Sequence, residues 1–178
     1  MKIGHAVAIA CFLVLALSLA SAQRHHDTLT PLEIDQLRDQ AQEPELRLKL
    51  YVTFARARLD AIDKARSDAK TVDRGQATHD RLQDFLDVYD ELNDNIDTFV
   101  NRRADLRKPL KTILEADNEF QAKLRALKQS ANATPQEVGQ YDFLLSNALD
   151  TVDSSTQDHR QLLSEQEEAA KHKKPSKP

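Results

Sequence analysis

The chain has 178 residues, 40% hydrophobic and 30% charged, with a formal net charge of -4 at pH 7. Its single cysteine excludes an intramolecular disulfide and a thiolate zinc site. Three scattered glycines exclude a P-loop, a dinucleotide fingerprint and a nucleophile elbow, and they weigh against a β-rich fold with many tight turns.

Residues 1–22 read as a cleavable secretory signal. Lys2 supplies the positive start, Ala6 to Ala20 the apolar run, and Ala20-Ser21-Ala22 the small residues before a cut at Gln23. The run is short for a membrane-spanning helix, which needs ~20 residues. Cys11 lies inside the run, which continues past it, so a lipoprotein site is not expected. The mature chain would hold neither Cys nor Met. It would have 24 basic against 29 acidic residues, because only Lys2 leaves with the signal. Export to a secreted or periplasmic location is expected. No stable membrane span remains after cleavage, and an acidic exported chain is not a nucleic-acid binder.

A polar leader, residues 23–29, precedes the first helix. Thr30-Pro31-Leu32-Glu33 is a capping box with Pro in the first turn, so helix 1 starts there and runs to about Gln42. Pro44 starts helix 2, which runs to about Lys70. Leu48, Tyr51, Val52, Ala55, Leu59 and Ile62 form one apolar stripe on it. Leu46, Leu50 and Phe54 form a second, onto which helix 1 is expected to fold through Ile34 and Leu37.

Thr71 to Gln76 reads as a loop. Beyond it an apolar heptad pattern holds from Leu82 to Ala131. Its d positions, Phe85, Leu92, Phe99, Leu106, Ile113, Phe120 and Leu127, are all apolar. The phase does not reset at Pro109, and Asp105-Leu106-Arg107-Lys108 offers no Gly, Asn or Ser. Residues 78–131 therefore predict one long helix of ~80 Å, kinked at Pro109. A true turn near Pro109 would instead give a compact up-down four-helix bundle.

Thr134-Pro135-Gln136-Glu137 repeats the capping signal and starts a last helix that runs to about Glu168. Residues 169–178 read as a basic, disordered tail. The expected fold class is all-α: an elongated antiparallel helical bundle, with residues 30–168 as its domain.

Chemistry is sparse. Asp80, Asp84, Asp87, Glu91 and Asp94 form an acidic stripe opposite the apolar seam, which reads as a solvated face. Arg103 and Asp117 occupy heptad a positions. The hairpin at 132–134 would bring Asp117 near Ser155 and Arg103 near Gln166 or Glu167, while His159 sits on the seam of the last helix. Arg103, Asp117, Ser155 and His159 are thus expected to form a register-fixing polar layer, with a ligand cavity as the functional alternative. No Glu-x-x-His or His-Glu-x-x-His spacing occurs, and no cofactor is expected. A cut before Gln23 would leave Gln23, Arg24, His25 and His26 at the amino terminus. Its amine, amides and imidazole suit square-planar Cu(II) or Ni(II). The lysine-rich tail could make weak contact with an anionic surface.

The expected function is non-enzymatic: an exported spacer, adaptor or chaperone-like binder acting through protein contacts or self-association. The alternatives are metal binding at the mature amino terminus and a helical enzyme or ligand carrier built on the polar layer.

Overall fold

A computed structural model describes residues 28–172. The signal segment, the Gln23–His26 candidate metal site and the end of the basic tail lie outside the described residues. Five helices follow one another: α1 (Pro31–Asp39), α2 (Pro44–Ser67), α3 (Arg74–Asn101), α4 (Arg107–Lys128) and α5 (Pro135–His172). No strand occurs among the described residues.

Local chemistry sets most helix starts. At α1 the Thr30 N–H donates to Glu33 Oε2 (2.8 Å), and the Glu33 N–H donates to Thr30 Oγ1 (3.3 Å). Thr134 and Glu137 repeat the box before α5, at 2.7 and 3.2 Å. Both boxes satisfy amide donors that the first helical turn cannot pair internally. The Asp73 carboxylate caps α3 by accepting from the Gln76 N–H at 3.0 Å.

The long helix expected over residues 78–131 is not formed. The chain stops at Asn101 and turns through residues 102–106. The Ala104 N–H donates to the Phe99 carbonyl (3.0 Å) and the Arg103 N–H to the Val100 carbonyl (2.8 Å). These two bonds define a Schellman stop, whose turning residue adopts a left-handed backbone. That residue is Arg103, with φ 58°. Glycine usually takes this position, so the sequence carries no visible stop signal. Pro109 lies in the first turn of α4, where its missing N–H costs no helical bond. It belongs to a helix start and kinks nothing. Arg103→Gly should remove the left-handed strain and stabilise the fold by about 1 kcal/mol. A higher urea midpoint at unchanged m-value would show it.

With the turn at 102–106 the architecture is a four-helix bundle of α2 to α5 whose helices alternate in direction, with the chain crossing the diagonal from α3 to α4. α2 packs on α3 and α4, and α5 packs on the same two helices. α2 and α4 run parallel as neighbours, joined by Arg56–Glu119 and Lys123–Asp60 ion pairs. α3 and α5 are the other parallel pair. α3 and α4 are antiparallel and face each other across the diagonal. There the Phe85 and Phe120 rings meet edge to face at 5.5 Å, with Tyr89 stacked on Phe85 at 5.6 Å. The turn is held from α5. The Leu106 N–H donates to Gln166 Oε1 (2.7 Å), and Gln166 Nε2 donates to the Ala104 carbonyl (3.3 Å).

The predicted docking of α1 on α2 holds in part. Leu37 and Phe54 are buried, whereas Ile34 and Leu46 are 40% and 48% exposed. Polar contacts complete the join. Arg58 pairs with Glu33 at 2.7 Å and donates to the Thr28 carbonyl, and Arg47 donates to the Leu37 carbonyl.

Candidate functional site

Three of the four residues predicted for the polar layer meet in the bundle. Tyr89 and Asn93 stand four apart on α3, and Ser155 and His159 four apart on α5, so each pair shares one helix face. Asp117 of α4 lies between them and is fully buried. Its Oδ1 accepts from the Tyr89 hydroxyl at 2.8 Å. Its Oδ2 lies 2.8 Å from His159 Nδ1. The other ring nitrogen, Nε2, lies 3.1 Å from Asn93 Oδ1, and Asn93 Nδ2 donates to Ser155 Oγ at 3.1 Å. The ring is thus held between two oxygen atoms, one from α4 and one from α3. Burial, then the Asp117 charge and its hydrogen bond, push the Tyr89 phenol above the usual tyrosine range, so it remains a donor. One turn further, Gln121 Nε2 donates to Thr156 Oγ1 at 3.2 Å.

Arg103 is not part of this layer. It is exposed in the turn, because the chain reverses at the position where a continuous helix would have aimed it inward. Tyr89 and Asn93 were missed by sequence reasoning. They join only when α3 and α4 fold back on each other. Their four-residue spacing on the apolar seam was the available signal.

The layer brings an Asp, a His and a Ser together, yet its geometry does not favour nucleophilic attack. The Ser155 hydroxyl bonds Asn93 rather than His159. The layer also sits in mid-helix, where backbone N–H groups serve i−4 carbonyls and leave no oxyanion donors. Among the described residues no buried side-chain nitrogen or oxygen lacks a partner. No group of three or more His, Cys, Asp or Glu is placed to hold a metal among them. No described helix is long and apolar enough to cross a membrane.

Outside the layer a groove of about 360 Å³ runs between α3 and α5. Asn93, Ser155 and His159 form its inner end. Ile96, Val100 and Leu162 continue its floor, and Asp97, Asp158 and Glu165 stand along it. The predicted acidic stripe is solvated at Asp80, Glu91 and Asp94, but Asp84 is buried and pairs with Arg81 at 3.0 Å. Charge is segregated by helix pair. α3 and α5 together carry 15 acidic and 4 basic residues, whereas α2 and α4 carry 12 basic and 6 acidic ones. Partial desolvation and the neighbouring Asp87 and Asp94 raise the Asp90 carboxyl above the usual aspartate range.

No family model matches the chain, and neither a curated protein nor a solved structure matches it.

Proposed function

We propose that this chain is a non-enzymatic exported binding protein, a spacer, adaptor or chaperone-like binder that acts through its surface. The observation that carries this is the direction of its polar chemistry. Every polar group of the buried layer is spent on another helix of the same bundle, while unneutralised charge is displayed outside. A buried layer of this kind fixes which helices pair and in what register. It leaves recognition to the faces.

The test places a photo-crosslinking residue at exposed positions of the full chain, Asp158 on one side and Lys49 on the other, in the cells that make it. A discrete heavier adduct from an exposed position supports surface contact. So does an unchanged phenotype for a folded Asp117→Leu/His159→Leu variant. No adduct from any exposed position, together with a lost phenotype in that folded variant, overturns the proposal.

A further inference from the structure

We propose that the groove between α3 and α5 docks a basic, amphipathic polypeptide segment; this deepens the surface-binding function and rests on it.

The seam itself is incomplete. The α2–α4 seam is stitched by Arg56–Glu119 and Lys123–Asp60, and the α4–α5 seam by Arg125–Asp153 and Lys111–Glu167. Among the described residues no ion pair joins α3 to α5, and none joins α2 to α3, where Arg47 and Tyr51 bond Asn95 instead. The two helices exchange hydrogen bonds at Asn93, with Ser155 and His159. Below that level the half-buried Val100 and Leu162 leave a small apolar floor along the seam, while Ile96 itself is buried in the core.

Charge selects the occupant. The groove is lined by three carboxylates, Asp97, Asp158 and Glu165, and by no Lys or Arg. The two helices around it hold 15 acidic residues against 4 basic ones. That field repels nucleic acid and anionic lipid and attracts a cation. Shape then narrows the class. A volume of about 360 Å³ takes a few side chains rather than a folded domain. The lining repeats at helical spacing: Asn93, Ile96, Asp97 and Val100 on α3, and Asp158, Leu162 and Glu165 on α5. It covers roughly two helical turns, some 11 Å. One face of a helical segment fits that length, with apolar anchors on the floor and Lys or Arg side chains against the carboxylates. Apolar burial supplies affinity here. The carboxylates set orientation and on-rate.

The experiment titrates the full chain with a synthetic Lys/Leu peptide of about 14 residues in a helical pattern. A lysine-only peptide of equal charge and spermine serve as comparison probes. The Lys/Leu peptide should bind one to one and shift the amide resonances of Ile96, Val100 and Leu162. Asp97→Asn/Asp158→Asn should weaken it about tenfold, whereas the charge-matched Asp63→Asn/Glu115→Gln on α2 and α4 should change it by less than about twofold. Equal losses in both double variants would make the effect one of net charge and overturn the site. Equal binding of the lysine-only peptide would remove the apolar floor from the account. Equal shifts with spermine would make the groove a small-amine site instead. Sedimentation showing a second copy seated over these residues would name a different occupant. If the peptide does not bind while crosslinked adducts form elsewhere on the surface, this groove is excluded and surface binding survives.

Discussion

Asp117→Ala should destabilise the protein by roughly 2–5 kcal/mol, the cost of leaving two buried polar partners without their acceptor. For a chain of this size that is a fall in Tm of about 10 °C. The substitution removes the acceptor of both the Tyr89 hydroxyl and His159 Nδ1 in one step. Asp117 and Tyr89 are fully buried and His159 nearly so, so neither orphaned donor can turn to water. Asp117→Asn should cost less, since its amide still offers an acceptor and a donor in nearly the same volume. The decisive variant is Tyr89→Phe/Asp117→Leu/His159→Leu. It removes the donors together with their acceptor and should recover most of the lost stability, because apolar replacement of a whole buried polar set is often neutral or stabilising. Thermal unfolding followed by circular dichroism reads all three variants. If the triple variant is as unstable as Asp117→Ala, the layer does more than satisfy itself.

Legibility in the sequence followed the range of the interaction. The two capping boxes join a side chain to its own backbone three residues away, so Thr30/Glu33 and Thr134/Glu137 were readable from spacing alone. The heptad seam was readable because burial repeats along a helix. Of the seven d positions, Phe85, Leu92, Phe99, Leu106, Ile113 and Phe120 are buried, and Leu127, near the end of α4, is half-buried. The register of α4 against α5 followed from the 132–134 turn, which placed Asp117 opposite the Ser155 and His159 region. The turn at 102–106 was hidden for two reasons. Its left-handed residue is Arg103 rather than glycine. The heptad phase also runs through it unbroken, because this turn has the length that returns the chain to the core in phase: Phe99 and Leu106, seven residues apart across it, are both buried. Phase reports which residues face inward and is silent on whether the chain is straight. A straight-helix reading therefore puts Arg103 in the layer and leaves Tyr89 and Asn93 out of it. The α3–α5 groove was hidden by the same turn, since those helices become neighbours only after the chain reverses.

The reversal itself makes the second large prediction. Phe120 is fully buried. Phe120→Ala should cost roughly 3–5 kcal/mol through lost burial and the cavity left behind. That loss alone does not separate a hairpin from a straight helix, since either could bury the ring. Coupling to Phe85 does. In the bundle the two rings meet at 5.5 Å with an interplanar angle of 80°, and such edge-to-face pairs are worth ~0.5–1.5 kcal/mol beyond burial. On one continuous helix the same residues would stand about 50 Å apart. Distant substitutions add to within roughly 0.5 kcal/mol. A cycle of Phe85→Leu, Phe120→Leu and the double variant keeps the total loss inside the stability of an ordinary domain, which two alanines would threaten. Urea unfolding should give a double variant that is less destabilised than the sum of the two single variants by about 1 kcal/mol. Strict additivity would return the chain to the extended form and would separate α3 from the arrangement that creates both the polar layer and the groove.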